Sequence, residues 1–296
     1  MVLIAGLLVG IFMPEFALLL RPAIAPMIVI LLFLAVLRLG PPGIAAGARA
    51  LRRAAVIALL LQMVLPLLAV ALFVAFGVLS HPLATGAVLA LAAAPITGSP
   101  NITLMVGGDP AAALRQLVVG TALLPLTALP VFFAMPIFGS PLAVALASIK
   151  LLALIIVTGG AALLLRRSGI VPATDRSFAI MDGVAALLLG SVVIGLMSAV
   201  GPALFGHPFA FVLALAAAFA LNLPIQLLAA SKTAKGDARA APAIGIVAGN
   251  RNIALFLSVL PQTTADQLLL FIGCYQIPMY LTPVLLSGFY RRVSRL

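Results

Sequence analysis

The apolar residues of this chain fall in continuous runs, not in the roughly 10-residue alternating segments that build a membrane barrel. Runs of about 20 residues, the length that spans a hydrocarbon core, occupy 2–20, 22–38, 54–77, 82–107, 111–136, 140–165, 177–200, 208–230, 240–260 and 267–289. They predict ten helices and an all-α membrane protein, with no room for a separate soluble domain. The first run is the weakest. Pro14-Glu15 interrupts it, and residues 2–13 alone would cover only about 18 Å at 1.5 Å per residue, so this span is expected to tilt or to begin further upstream.

Polar residues stand out at two places inside these runs. The fourth run reads "APITGSPNITLMVGG", where Pro95 and Pro100 each remove a backbone donor and crowd the preceding turn. With Gly98 between them, a break is expected near 95–101. The ninth run reads "APAIGIVAGNRNIAL", with Pro242, Gly245 and Gly249 ahead of Asn250, Arg251 and Asn252, and a break is expected near 246–251. Both segments share the frame Gly-x-x-Asn-Ile-x-Leu, and Asn101 and Asn252 are 151 positions apart in a chain of 296. That spacing predicts two related halves, 1–138 and 139–296, each with five spans and an interruption in its fourth. An odd number of spans per repeat makes the second copy inverted, and the two interruptions can then cross near the midplane. Paired broken spans are the sequence sign of a transporter site, because a broken helix frees backbone groups at mid-depth.

Composition agrees: 65% of residues are hydrophobic and 8% charged, where a soluble domain carries about 25% charged residues. The net charge of +11 is first a topology signal. The connections after runs 2, 4, 6 and 8, with the C-terminus, hold 14 of the 17 basic residues, and the opposite side holds only Arg21. Cytoplasmic loops retain Lys and Arg, so both termini are expected in the cytoplasm, in a multi-pass protein of the cell inner (plasma) membrane. Basic residues scattered between spans do not form the single surface that nucleic acid requires. No cleavable signal is visible. Cys274 is alone, so cysteine metal sites and disulfides are not expected. His81 and His207 each precede a proline at an outer loop and read as helix-start residues.

The chain resembles the bile acid:sodium symporter family over essentially its full length. The family's fourth-helix pattern, a Pro and small residues before Ser-Asn, is matched by Pro95 through Asn101, with Pro100 in place of the Ser. "QMVLP" supplies Gln62 and Pro66 for the third-helix pattern, and "VAGNRN" keeps Gly249 and Asn252 of the ninth. The resemblance implies two inverted five-helix repeats whose broken fourth and ninth helices cross, with small organic anions bound beside the crossing. Auxin-efflux-type carriers share that architecture and a Pro-Asn pair like Pro100-Asn101. The departures concern the cation sites. Val247 and Arg251 stand where the family has the Glu and Gln that bind sodium, and Ala113 and Leu117 stand near its fifth-helix Ser and Thr. Gln62 and Asn101 remain as ion-binding candidates, but a hard cation wants about six oxygens and a guanidinium would repel it. Sodium coupling in the family's manner is therefore not expected, and no other cofactor is implied.

Arg251 admits three roles: snorkelling to the surface, pairing with Asp182, or acting as a fixed cation that holds an anionic substrate through its planar fork. The third is favoured. The substrate-binding candidates are Thr97, Ser99, Asn101, Asn250, Arg251, Asn252 and Gln276. Lys150 reads as snorkelling to the outer surface, and Asn222 and Gln226 as a helix–helix hydrogen bond around Pro224. The expected function is a secondary transporter moving a small organic anion by alternating access, with the lipid bilayer as its other partner and no protein or nucleic-acid partner inferred. A sodium-coupled symporter or a non-transporting sensor on the same scaffold is the alternative. An enzyme is not expected, because Asp182 has no second carboxylate at bilayer depth and both histidines lie outside.

Overall fold

The computed structural model describes residues 2–44, 48–172 and 174–295. The expected basic connection at 38–53 therefore falls partly, at 45–47, outside the described residues. The helices are α1 (Val2–Phe12), α2 (Pro14–Leu20), α3 (Ile24–Ile44), α4 (Ala48–Leu59), α5 (Leu65–Ala75), α6 (Pro82–Ala92), α7 (Ser99–Met105) and α8 (Pro110–Phe133). They continue as α9 (Pro141–Arg167), α10 (Asp175–Leu196), α11 (Val200–Gly206), α12 (Pro208–Ala234), α13 (Ala241–Gly249) and α14 (Gln262–Val293). Among the described residues there is no β-strand, and the protein is all-helical.

Seven stretches are long and apolar enough to cross a membrane: Pro14–Arg38, Arg49–Ala75, Pro110–Phe133, Pro141–Arg167, Asp175–Gly206, Pro208–Ala234 and Gln262–Val293. Their outer faces carry large exposed apolar side chains such as Leu68, Ile156, Leu187, Val212 and Val284. A water-facing surface would not present so much apolar area, so these faces meet lipid. The three remaining runs, the first, fourth and ninth, are each interrupted. In the first run the interruption falls at Met13, just before the proline that opens α2. The helix then continues through Arg21–Ala23 into α3, so Arg21 does not separate two spans as the sequence pattern expected.

Prolines and polar caps set many of the helix starts. His81 caps α6, its Nδ1 accepting the Leu83 N–H at 3.2 Å, and Pro82 follows where its missing N–H costs nothing. His207 precedes α12 in the same way, without a side-chain bond. Ser140 caps α9 by accepting the Ala143 N–H at 3.2 Å, so Lys150 lies well inside that helix and on its exposed side.

Packing separates two groups of helices. In one, α1 runs alongside α10 in the same direction, with Gly6 at Gly190 and Gly10 at Ile194, while α3 runs the opposite way, with Ile24 at Gly195 and Arg38 at Asp182. Helix α9 joins them against α3. In the other, α12, α13 and α14 pack together, and α8 lies against α4, α7 and α13 while also meeting α9 of the first group. The segment Ile253–Ser258 spans the boundary, with Phe256 against Phe132 at 5.3 Å between ring centres.

Candidate functional site

The chain between α6 and α7 and the chain after α13 are both unwound, and they pair with each other. The Ile96 N–H donates to the Asn250 carbonyl at 2.9 Å, and the Asn252 N–H donates to the Ala94 carbonyl at 2.8 Å. Pro95 and Arg251 therefore form one antiparallel bridge, of the kind whose central residues exchange no hydrogen bonds themselves. Proline fits this position because the bridge asks nothing of its nitrogen. Pro100, by contrast, sits inside the first turn of α7, where a missing N–H is also tolerated. The interruptions expected at 95–101 and 246–251 lie at 93–98 and 250–252.

Arg251 is 1% exposed. Its Nε donates to the Ala248 carbonyl at 2.8 Å, one terminal nitrogen to the Ala93 carbonyl at 2.9 Å, and the other to the Leu61 carbonyl at 3.4 Å. Ala93 closes α6 and Ala248 lies in the last turn of α13, so the guanidinium sits at the negative ends of two helices. Leu61 belongs to a widened π segment, Leu60–Val64, between α4 and α5. Turns of that kind disturb the regular i→i−4 ladder, and here the Leu61 carbonyl meets Arg251. The pairing of Arg251 with Asp182 does not occur. Asp182, in α10, faces Arg38 in the antiparallel α3 at 2.5–2.8 Å, where the helix directions bring the two together. Snorkelling is excluded by the burial.

A polar network fills the space beneath α13. Asn222 Nδ2 donates to the Gly249 carbonyl at 2.8 Å and to Asn250 Oδ1 at 3.1 Å. Gln226 Nε2 donates to Asn222 Oδ1 at 2.6 Å and to Thr282 Oγ1 at 3.0 Å, and the Tyr290 hydroxyl donates to Gln226 Oε1 at 2.7 Å. The Tyr275 hydroxyl donates to the Gly249 carbonyl. Asn222 and Gln226 thus tie α12 to α13 and α14, and Asn250 is fully buried among them, away from any opening. On the other side, Gln62 Oε1 accepts the Thr127 hydroxyl at 3.2 Å, while Gln62 Nε2 and Ser99 Oγ are buried without a partner.

Two cavities adjoin the bridge. The larger, about 690 Å³, lies between α3 and α10 on one side and α7 and α8 on the other; Arg38, Thr97, Asn101, Leu117, Asp182 and Tyr280 line it among many apolar side chains. The smaller, about 20 Å³, is lined by Thr97, Arg251, Asn252, Gln276 and Tyr280. The two share Leu31, Thr97, Leu189 and Tyr280. Of the candidates named from sequence, the structure brings Thr97, Arg251, Asn252 and Gln276 together. It places Asn101 in the larger cavity beside Thr97, and buries Ser99, Asn250 and Gln62 outside both cavities. Tyr280 was missed, although it stands four residues after Gln276 and so on the same helix face. Arg38 was read only as a topology marker.

Val247 and Ala113 are buried in one apolar cluster with Ala112 and Ala243, so their side chains bring no oxygen to the bridge. Leu117 is 5% exposed at the wall of the larger cavity.

A third, polar cavity of about 670 Å³ opens among the basic connections, lined by Arg53, Asp109, Arg115, Gln116, Asp237 and Arg239. Residues from the connections after runs 2, 4 and 8 meet here with Ser294, so these basic segments share one end of the molecule, while Arg21 pairs with Asp266 elsewhere. Partial burial acts to raise the pKa of Asp237, but the Arg53 hydrogen bond, the Ala240 N–H and the charges of Arg53 and Arg239 outweigh it and hold the carboxyl below its ordinary value. A depressed carboxylate adds stability above the unfolded pKa, and that contribution is lost as pH falls through the folded one. Asp237→Asn should therefore lower the melting temperature near neutral pH and leave it unchanged in strong acid, a comparison made by thermal unfolding across pH.

Compared with known proteins, the sequence matches no family model and no curated protein.

Proposed function

We propose that this protein is a secondary transporter of small organic anions, built like the bile acid:sodium symporter family but independent of sodium. On this reading ten spans form two inverted repeats, 1–138 and 139–296, in the plasma membrane, and the shared basic end faces the cytoplasm. Matching polar pairs support the repeat: Gln62 with Thr127 links the third and fifth spans, and Gln226 with Thr282 links the eighth and tenth.

The observation that carries the proposal is Arg251. It is a buried cation that pairs with no carboxylate among the described residues, at the wall of a cavity system between two helix groups. An anion entering the larger cavity would feel that charge through the shared wall of Thr97 and Tyr280. Three of the five guanidinium N–H groups already serve backbone carbonyls, so Arg251 acts through its field more than as a ligand. Direct contacts fall to Thr97, Asn101, Asn252, Gln276 and Tyr280. The apolar remainder of the lining calls for a substrate with a hydrocarbon body and one anionic group. Alternating access then consists of the α1, α3, α9, α10 group rocking against the other, with the bridge moving as part of the second.

Arg251 also suits a site that works without sodium: its guanidinium occupies two helix-end carbonyls, and the side chains of Val247 and Ala113 bring no oxygen. A thermal-shift screen of the purified protein against organic carboxylates should identify a stabilising ligand. Its affinity should change by less than about twofold between sodium chloride and potassium chloride at equal ionic strength, and uptake into proteoliposomes should proceed without sodium. Tightening by sodium of about tenfold or more would overturn the fixed-charge reading. Binding without uptake would favour a sensor.

A further inference from the structure

A second site lies at the basic end, on the flank of the molecule. The start of α4 and the last turns of α12 enclose an open cleft of about 490 Å³, walled by Arg49, Arg52, Arg53 and Lys232, with Val56 and Ile57 one turn deeper along α4. Arg53 is held by Asp237 at 2.7 Å. Arg49, Arg52 and Lys232 have no carboxylate partner among the described residues. Three uncompensated cations thus converge where two spanning helices reach the membrane surface. Below them, the exposed side chains of Val56, Leu59, Leu60 and Leu228 continue the same flank as an apolar strip.

We infer that this cleft binds an acidic phospholipid, with its phosphates among Arg49, Arg52 and Lys232 and its acyl chains along the Val56, Leu59 and Leu228 strip. Basic pockets between helix ends take up anionic headgroups because the cations are already close to the phosphate plane and need not be drawn from water. Three free charges match a lipid carrying two phosphates better than one carrying a single phosphate. The strip distinguishes a lipid from a free anion, which would gain nothing from it. The cleft opens sideways and shares no residue with the cavities beside Arg251, so its occupant is not the transported substrate.

The test uses the whole protein in nanodiscs of phosphatidylcholine alone or with a small fraction of phosphatidylglycerol or cardiolipin, read by native mass spectrometry and by melting temperature. Cardiolipin should be retained by the wild type and should raise its melting temperature more than phosphatidylglycerol does. The triple variant Arg49→Gln, Arg52→Gln, Lys232→Gln should retain about fivefold less or lower, and Lys232→Gln alone, the mildest change, about twofold less. Arg176→Gln, Arg291→Gln, Arg292→Gln removes as many exposed charges elsewhere and should retain cardiolipin like the wild type. Equal retention by both triple variants would overturn the inference. So would inorganic phosphate giving the same stabilisation in phosphatidylcholine nanodiscs, which would identify a free anion as the occupant.

Discussion

Replacing Arg251 by Met should lower stability by about 2–4 kcal/mol, because the carbonyls of Ala93, Ala248 and Leu61 would stay buried with a donor lost from each. The apolar side chain recovers the cost of burying a charge, which is why the loss is smaller than three charged hydrogen bonds would imply. Anion affinity should fall further in proportion. A unit charge about 8 Å away at an effective dielectric of about 20 contributes about 2 kcal/mol, or roughly thirtyfold in affinity. Arg251→Lys keeps the charge with fewer donors, so it should lose stability but hold affinity within about tenfold of wild type. Thermal unfolding and ligand titration on the same preparations separate the two effects. A Met variant as stable as wild type would show that the carbonyls find other partners and that the guanidinium does not clamp the bridge.

The Gly249→Ala variant should be strongly destabilising. Its added methyl would stand 2.7 Å from the Asn222 carbonyl and press on Gln226 Cγ. Backbone cannot yield cheaply in the middle of α12, and overpacking of this kind costs about 1–3 kcal/mol. The displaced Asn222 and Gln226 would also weaken their bonds to Gly249 and Asn250, adding about 1 kcal/mol. Gly98→Ala is the control: it lies in the interruption between α6 and α7, has a φ of −77°, and a methyl there meets nothing within 4 Å. The two variants should differ clearly in melting temperature, and similar losses would mean that both glycines serve as hinges.

That contrast shows where sequence reading succeeds and where it stops. The breaks in the fourth and ninth runs were legible because proline and a polar cluster inside an apolar run have few structural explanations. The detailed reason was not. Gly245 and Gly249 read as signs of the break near 246–251, yet both lie inside α13 and admit the close approach of α12. Asn250 read as a substrate ligand because it neighbours Arg251, but successive residues in an extended segment point to opposite sides, and its side chain joins Asn222 and Thr282. Asp182 was considered for Arg251 as the sole acid inside a span. Only the antiparallel packing of α3 on α10 shows that Arg38 reaches it first. Backbone acceptors leave no mark in a sequence at all. The Ala93 and Leu61 carbonyls belong to apolar residues, and nothing in their identity announces a distant arginine.

The bridge also sets an order on how the protein is made. The Ala93 carbonyl enters the membrane 158 residues before Arg251 exists, an interval of about 8–30 s at the usual pace of synthesis of roughly 5–20 residues per second. Hydrocarbon offers an unwound segment no hydrogen-bond partner, so during that wait the broken end of α6 must be sheltered by water or by the insertion machinery. The first half therefore reaches its final shape only when most of the chain has been translated. A polypeptide stopped short of residue 251 would carry an unsealed gap at mid-membrane, a feature by which cellular quality control could recognise and remove it.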